Sequence, residues 1–522
     1  MKTAAQKDSV STVAWGTIAS VARIGVTFVV WFFLTPLMIR ALGGEAYGLW
    51  SVVFSLVGFL GLLDLGTGAG VVRCVAETRG HGRMSERNES LSTYVGAALL
   101  MSMAGVVVLA SMSRWALPAL GVPVALLETA RVVLWLVGLR SFVLALPFGI
   151  VRGVLFGENR FIALNLAQAG ATVLGGILTA VVLWNGGGVR GVAVAGLAIM
   201  LVEHLLYWRL AAPHLRGLSL SWRHVRWTTL KRAASLGAAQ LVIATSGMVL
   251  LRTDPLIVQA AFGMSAVALY AVAMKVAENT FLVIKQFVNT LSPLIAEWHG
   301  AGERDRVGDL LVRATRLAGI PAALIGGAAI GAADPLLRLW LGPDFVAAAL
   351  PMRILVLAMT LTVPQMVVFT VLTYTDRHHL PARASVVAAI ANVAFSLLLI
   401  KPFGLAGVAL GTLCATILVD VAYVLRAASV TFGLSFRDFA RKALVPTWVP
   451  MLAQAAFLTL WFDWAPPANF GALALGLLAG GIPSLVLLGR VALDDAEKAR
   501  LFRGLDRLRS AARIPVSLWR TV

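Results

Sequence analysis

Eight ionisable side chains lie inside segments that are otherwise apolar, and their types define the chemistry open to this chain. They are Arg23, Asp64, Arg140, Arg252, Asp254, Lys275, Glu278 and Lys285. A charged side chain at bilayer depth costs from about 3 to more than about 10 kcal/mol, so such residues are rare and usually functional. The basic residues outnumber the acids. Positive charge in a membrane cavity favours an anionic substrate, and arginine suits phosphate because its planar fork donates two parallel hydrogen bonds.

The apolar segment 265–293 carries several of these groups on one helical face. Lys275, Glu278, Lys285, Asn289 and Ser292 fall within about 100° of one another on a helix with 3.6 residues per turn. Such a stripe is expected to line a cavity or to pack against another helix. Two simpler interpretations stay open, since Lys275 and Glu278 can form an internal salt bridge and Lys285 can extend to the cytoplasmic surface.

The acidic residues are candidates for ion coupling. The sequence has no GxxxxGK[ST] phosphate loop, no GxSxG and no histidine pair at metal-ligand spacing, so it predicts neither an enzyme nor a resident cofactor. Active transport then depends on an ion gradient or the membrane potential, and Asp254, Glu278 and Asp64 are the candidate ion carriers. Pro255 is expected to kink the helix beside Asp254. Asp64 can also be a boundary residue at a helix end.

Composition places these residues in a membrane protein. Of 522 residues, 59% are hydrophobic and 13% are charged, whereas soluble domains are about 25% charged. Apolar segments of about 20 residues recur, and we count about 14 of them. The first, 13–39, is too long for a signal-peptide core and is interpreted as an uncleaved helix. The sequence therefore predicts an all-α integral membrane protein.

Loop charges predict the orientation. With the N-terminus inside, the inward loops and tails hold about 32 Lys and Arg and the outward loops about 7. Both termini are therefore expected to be cytoplasmic. The basic linker before residue 233 and the C-terminal tail both suit amphipathic helices that lie on an anionic inner leaflet, although they can also be simple topology determinants or bind protein partners.

The chain resembles itself at a spacing of about 220 residues. TPLMIRALGGEAYGLW (35–50) matches DPLIVQAAFGMSAVALY (254–270), LPALGVP (117–123) matches LRLWLGP (337–343), and VRGVAVAG (189–196) matches LAGVALG (405–411). Six spans separate the copies, so the two lobes have the same orientation, as in parallel-repeat transporters. The predicted organisation is a six-helix lobe (1–210), a basic cytoplasmic linker (211–232), a second six-helix lobe (233–426), an extra helix pair (427–490) and a basic amphipathic tail (491–522).

The run TPLMIRALGGEAYGLWSVVFSLVGFLGLLDLGTGAGVVRCVAE resembles the opening of bacterial polysaccharide transporters. These are the Wzx-type flippases of the multidrug/oligosaccharidyl-lipid/polysaccharide exporter (MOP) superfamily. RTDPLIV, LRLWLGPDF and GLAGVALGT resemble corresponding features of the second half of that family.

The resemblance implies a cleft with a cationic lining that moves a polyprenyl-pyrophosphate-linked oligosaccharide across the bacterial inner membrane. Arg23, Arg252 and Lys275 match this lining, and Arg140 and Lys285 are further candidates. Membrane lipids, a glycan polymerase and glycosyltransferases are the expected partners. Two alternatives stay open: an exporter of organic cations from the same superfamily, and a membrane-embedded glycan polymerase or ligase.

Overall fold

The structure is a computed structural model that describes residues 3–64, 66–79, 84–289, 304–374, 379–433, 435–495 and 497–499. Within these ranges every regular element is helical. The α-helices are α1 (Thr3–Gly58), α2 (Thr67–Thr78), α3 (Met84–Ser111), α4 (Leu117–Ala119), α5 (Val124–Gly138), α6 (Ala145–Gly157), α7 (Phe161–Trp184), α8 (Gly188–Ala211), α9 (Trp227–Phe262), α10 (Met264–Asn289), α11 (Arg304–Gly331), α12 (Ala333–Leu341), α13 (Ala349–Leu361), α14 (Val363–Tyr374), α15 (His379–Ala415), α16 (Leu425–Phe432), α17 (Phe436–Phe439), α18 (Val445–Trp464) and α19 (Phe470–Val491).

Wider and tighter helical turns join several of these helices. The π-helical segments are Met112–Ala116, Leu139–Val143, Thr416–Val424 and Ala440–Leu444. The 3₁₀ segments are Phe59–Leu63, Ala212–Leu215, Trp222–His224 and Pro343–Ala348. A π-helix is rare and is frequently found at functional sites.

The membrane-spanning character predicted from composition is confirmed. In the described part of the chain, 12 helical stretches are long and apolar enough to cross a bilayer. Two of them, Ala19–Leu63 with 45 residues and His379–Ala428 with 50, are about twice as long as one crossing requires. Each contains a glycine with non-helical backbone angles, Gly43 and Gly404 respectively. Counted as two crossings each, these stretches raise the total to the predicted fourteen.

The internal repeat is visible in the backbone. Gly43 and Gly263 both have positive φ, with angles of 78° and 80°, at matched positions of the first pair of segments. Glycines with positive φ also occur at Gly121 and Gly342, one position apart in the second pair of segments, and at Gly188 and Gly404, directly before the third pair. Side chains disfavour this region of backbone space, so a helix reversal of this shape selects glycine. The three sequence matches therefore correspond to the same three turns in each half.

The described helices pack into two compact units, which are described separately. The first contains 1–275, 340–355 and 378–415. In it, Val71, Tyr94 and Val154 form one core between α2, α3 and α6, and Leu164 and Tyr207 form part of another between α6, α7 and α8. These cores hold the helices of the N-terminal half at fixed spacing.

The second unit contains 276–339, 356–377 and 416–522. Its α11 and α18 approach closely because glycines face the neighbouring helix. A Cβ built at Gly331 would lie 2.6 Å from the Cβ of Leu458, and one at Gly327 would lie 2.9 Å from the carbonyl oxygen of Met451. Small residues at such contacts are typical of helix packing in membranes.

One predicted element has a different conformation. An amphipathic helix was one of the interpretations left open for the linker between α8 and α9, but residues 216–226 are largely extended, with one 3₁₀ turn. Backbone N–H groups of Ser219 and Ser221 donate to the side chains of Asn88 and Ser92 on α3, at 3.1 and 3.2 Å. These bonds replace the hydrogen bonds of a helix. In the C-terminal tail, residues 500–522 lie outside the described ranges, and the predicted domain boundaries stay a prediction.

Candidate functional site

Asp254 is the most deeply buried of the predicted residues, with a relative exposure of 0%. Helix α9 continues through Pro255 without interruption, so Asp254 lies on one continuous helix. The Tyr270 hydroxyl on α10 donates to Asp254 Oδ2 at 2.6 Å. The Thr412 hydroxyl on α15 donates to the same oxygen at 3.1 Å. Three helices of the first unit therefore meet at one carboxylate.

The hydrogen bonds continue beyond Thr412. Asn392 Nδ2, also buried, donates to Thr412 Oγ1 at 2.9 Å, so amide, hydroxyl and carboxylate form a directed chain. One turn further along α15, the buried Ser396 hydroxyl donates to the Val408 carbonyl at 3.3 Å. The chain of α15 reverses at the turn containing Gly404, and both halves of the helix contribute a side chain, Asn392 and Thr412, to the surroundings of Asp254. We call these side chains, together with Tyr270, the Asp254 pocket.

Two buried oxygens in this pocket have no described hydrogen-bond partner. They are Asp254 Oδ1 and Asn392 Oδ1. An isolated buried carboxylate is costly, and proteins neutralise it with a proton or a counter-ion. Hard cations prefer oxygen ligands of the kinds collected here, namely carboxylate, amide and hydroxyl. The arrangement is chemically suited to bind and release one proton or one monovalent cation.

The repeat does not reproduce this pocket. The position that matches Asp254 in the first half is Thr35, whose hydroxyl donates to the Trp31 carbonyl of its own helix at 2.8 Å. The position that matches Tyr270 is Trp50, which lacks a hydroxyl group. The carboxylate and its tyrosine donor therefore occur in one half only.

Arg23 lies on α1, and its side chain is half-buried. Its Nε donates to Oδ1 of Asn165 on α7 at 2.9 Å. Asn165 in turn donates to the Phe161 carbonyl one helical turn earlier at 2.9 Å, which fixes the amide so that its oxygen faces Arg23. The guanidinium is thus positioned by a neutral group.

Arg140 occupies a π-helical turn between α5 and α6. Its guanidinium carbon lies 5.9 Å from the centre of the Phe54 ring, within the range of a cation–π contact. A Cβ built at Gly196 on α8 would lie 2.5 Å from its Nη1, so the missing side chain at Gly196 makes room for the guanidinium. Glu203 accepts a hydrogen bond from Tyr207 and is close enough to Arg140 for an electrostatic interaction.

Arg252 and Asp254 face different neighbours, as their spacing on one helix predicts. The Arg252 side chain packs against Gly58 of α1, where an added Cβ would lie 2.9 Å from its Cγ. Asp254 faces α10 and α15 instead. The two residues therefore contribute to separate parts of the first unit.

Lys275 lies beside an aromatic cluster. Its Nζ is 4.9 Å from the centre of the Trp31 ring. Trp340 stacks on Phe32 with ring centres 5.0 Å apart, lies 6.0 Å from Trp31, and donates from Nε1 to the Phe32 carbonyl at 2.7 Å. This cluster fixes the aromatic face that the ammonium group contacts.

Glu278 and Lys285 belong to the second unit. Glu278 is half-buried, whereas Lys285 is exposed and its Nζ lies 6.0 Å from the ring centre of Phe281, one helical turn away. The role of Lys285, in a cavity or extended to the membrane surface, stays a prediction. Of the predicted polar stripe, the Asn289 side chain and Ser292 lie outside the described residues.

Asp64 lies directly after the 3₁₀ segment Phe59–Leu63 and three residues before the start of helix α2 at Thr67. Its Oδ1 accepts hydrogen bonds from the backbone N–H groups of Gly66 and Thr67 at 3.0 and 3.2 Å and from the Thr67 hydroxyl at 3.1 Å. This arrangement satisfies donors at a helix start, as capping side chains do. Asp64 also lines a cavity of about 290 Å³ whose other charged residue is Arg152. Its predicted role in ion coupling stays a prediction beside this evident structural role.

Two further acidic residues inside apolar spans were not predicted as functional from the sequence. Asp420 lies in a π-helical segment and is 7% exposed, and Glu203 lies within α8. Both are acids inside apolar spans, so the criterion that selected Asp254 also applies to them. The uncharged partners Tyr270, Thr412 and Asn392 gave no such signal.

Comparison with known proteins supports the fold assignment. The MatE family model matches residues 241–398. The chain is 24% identical over 413 residues to "Uncharacterized membrane protein EpsK" from Bacillus subtilis (strain 168), a match that covers 76% of this chain and 78% of the relative.

Solved structures show the same architecture. Lipid II flippase MurJ in an inward closed conformation superposes with a TM-score of 0.67 at 12% identity, covering 91% of this chain and 98% of the other. An inward-facing multidrug resistance MATE family transporter of the MOP superfamily gives a TM-score of 0.64 at 16% identity, covering 79% and 99%. The chain therefore has the fold of MOP-superfamily transporters.

Proposed function

We propose that this protein is a flippase that moves a polyprenyl-pyrophosphate-linked oligosaccharide from the cytoplasmic to the outer leaflet of the bacterial inner membrane by alternating access. Both termini are cytoplasmic in this proposal. Glycosyltransferases would supply the lipid-linked glycan and a polymerase would consume it. The MOP fold, the match to the MatE family model and the cationic residues inside the spans support the proposal.

The observation that carries the proposal is the neutral partner of Arg23. Its described hydrogen bond uses Nε and the amide oxygen of Asn165, so no carboxylate balances the charge in this contact. The terminal amino groups of the guanidinium form the edge that binds phosphate through parallel hydrogen bonds. Lys275 lies in the same unit, with its Nζ 4.9 Å from the centre of the Trp31 ring. Such groups favour a pyrophosphate in a membrane cavity.

Asp254 is the proposed ion-coupling residue. Its pocket can lose and regain one positive charge, because Tyr270 and Thr412 stabilise the carboxylate and Oδ1 is available for a proton or a cation. Binding in one conformation and release in the other would couple substrate movement to the membrane gradient. Glu278 is a second candidate for this role on α10.

Proteoliposomes that contain a fluorescent polyprenyl-pyrophosphate oligosaccharide test the proposal. A membrane-impermeant reductant bleaches only the outer leaflet, so the bleached fraction reports translocation. Arg23→Ala removes a charged hydrogen-bonding group worth about 1.5 to 3 kcal/mol, so the rate should fall by roughly 10- to 150-fold. Arg190→Ala, at an exposed arginine that pairs with Glu128, is the matched control and should translocate normally. Normal translocation by both Arg23→Ala and Arg140→Ala contradicts the proposal.

Export of organic cations is the second candidate function. The aromatic cluster of Trp31, Phe32 and Trp340 favours it, because aromatic faces attract cations. The two functions separate in one experiment with a deletion strain. Loss of surface glycan with unchanged drug susceptibility supports the flippase, whereas drug hypersensitivity with normal glycan supports the exporter.

A further inference from the structure

The second unit contains a buried carboxylate that the proposed transport site does not use. Asp420 is 7% exposed and lies inside the apolar span His379–Ala428. Because the side chain is buried, bulk water does not solvate the carboxylate.

The hydrogen bonding of Asp420 is incomplete. Its Oδ2 accepts one long bond from the Thr362 hydroxyl, at 3.4 Å, and its Oδ1 is buried with no hydrogen-bond partner among the described residues. Thr362 sits at the break between α13 and α14, where its own hydroxyl also approaches the Ala358 carbonyl at 3.0 Å. The hydroxyl has a single proton and two acceptors, so the stabilisation it gives to a negative charge on Asp420 is shared.

Helices α14 and α16 pack on the segment that contains Asp420, and among the described residues neither helix carries a buried basic side chain. The ionisable groups on them are Tyr374, whose side chain lies outside the described residues, and Arg426, whose side chain is exposed. Tyr423, in the same π-helical segment as Asp420, is also exposed. Because an ionised carboxylate needs a counter-charge or several hydrogen bonds at this depth, the neutral acid is the form that fits the surroundings.

The local backbone is unusual at the same place. Asp420 is the fifth of nine residues in the π-helical segment Thr416–Val424. Wide turns of this kind are rare and mostly shorter, and they occur frequently where function requires an altered helix. A helix that can exchange π and α turns changes the direction in which Asp420 points, which offers a route between a buried and a hydrated position.

We propose that Asp420 is a proton-binding site: its carboxyl group holds a proton in this conformation and releases it to water when the protein changes conformation. Release leaves the carboxylate and a hydrated proton, and the return step reverses both. Its one described partner, Thr362, does not belong to the side chains that contact Asp254. It does not depend on which substrate the protein carries.

Infrared difference spectroscopy of the purified full-length protein in lipid nanodiscs tests this proposal. The carbonyl stretch of a protonated carboxylic acid is resolved from that of a carboxylate and shifts in heavy water. Asp420→Asn should lose one protonated-acid band that the unmodified protein shows at neutral pH. Asp463→Asn, at an exposed acid, is the matched control and should keep the band. A spectrum of Asp420→Asn identical to that of the unmodified protein overturns the proposal.

A second measurement separates proton exchange from a permanently protonated structural acid. If Asp420 exchanges its proton, its band shifts in heavy water during turnover. Asp420→Asn resembles the neutral acid, so this variant should lose the pH dependence of transport. A band that never shifts in heavy water, together with full transport by Asp420→Asn, contradicts exchange. If Asp420→Asn does not fold, Thr362→Val serves instead: it should move the same band by removing the hydrogen bond, and an unmoved band overturns the assignment.

Discussion

Replacing Tyr270 with Phe isolates the contribution of one hydroxyl to the Asp254 pocket. The substitution keeps the buried ring and removes a donor that lies 2.6 Å from Asp254 Oδ2. This distance is typical of an O–H···O⁻ bond to a charged acceptor. A bond of that class contributes about 1.5 to 3 kcal/mol, whereas a neutral bond contributes about 0.5 to 1.5 kcal/mol. Its loss therefore destabilises the empty, charged pocket more than the pocket that holds a proton, because protonation makes the acceptor neutral.

The difference between the two states sets the expected effect. It amounts to about 1 to 1.5 kcal/mol, or roughly a 5- to 12-fold change in an equilibrium constant. We expect Tyr270→Phe to bind a coupling proton that much more tightly, so the proton concentration for half-maximal transport falls by the same factor. The maximal rate should fall as well, because release becomes slower.

Transport by proteoliposomes, measured over a series of proton and sodium concentrations, gives this half-saturation value. Tyr207→Phe is the matched control, because Tyr207 is also fully buried and also donates to a carboxylate, that of Glu203. It should leave the cation dependence unchanged. An unchanged or weaker proton affinity in Tyr270→Phe refutes the assignment of the pocket, even if the variant is less stable.

Three further predictions follow from individual contacts. Gly196→Val should displace the Arg140 guanidinium, because its Nη1 lies 2.5 Å from the position of the added Cβ. Translocation should then fall at least tenfold. Gly170→Val is the control: it adds a side chain where there is open space and should leave translocation unchanged. Gly331→Val should separate α11 from α18 and lower thermal stability by about 1 to 3 kcal/mol or more in a melting assay, because the closest atoms belong partly to backbone. Burial raises the pKa of the Cys74 thiol, so little thiolate forms at neutral pH. Maleimide labelling of Cys74 should therefore be slow in the folded protein and fast after denaturation. Rapid labelling of Cys74 in the folded state contradicts the packing of α2.

The architecture was largely predictable from the sequence because bilayer physics acts on long segments. Apolar length gives the number of crossings, and the matched segments around Gly43 and Gly263 fix the repeat and its turns. Asp254 stood out by the same logic, since a lone acid in an apolar span is costly. These features depend on composition within about 30 residues, which a sequence displays directly.

The partners of Asp254 were not predictable in this way. Thr412 is 158 residues away in the chain, and an uncharged threonine in an apolar span is common. The linker likewise took its conformation from side chains of α3 that are about 130 residues distant. Asp64 was ambiguous because the same carboxylate can cap a helix or carry an ion, and its local hydrogen bonds became visible only in three dimensions. Tertiary contacts decided each of these cases.

The presence of Thr35 where the repeat would place a second Asp254 has a thermodynamic consequence for the proposed transport cycle. One cation site moves one elementary charge per cycle, and a membrane potential of 100 mV supplies about 2.3 kcal/mol for that charge. This energy sustains a transbilayer substrate ratio of about 50-fold in the absence of other gradients. A second carrier such as Asp420 doubles the energy and raises the ceiling to roughly 2,000-fold. The steady-state ratio measured at a clamped potential therefore counts the carriers that operate in one turnover.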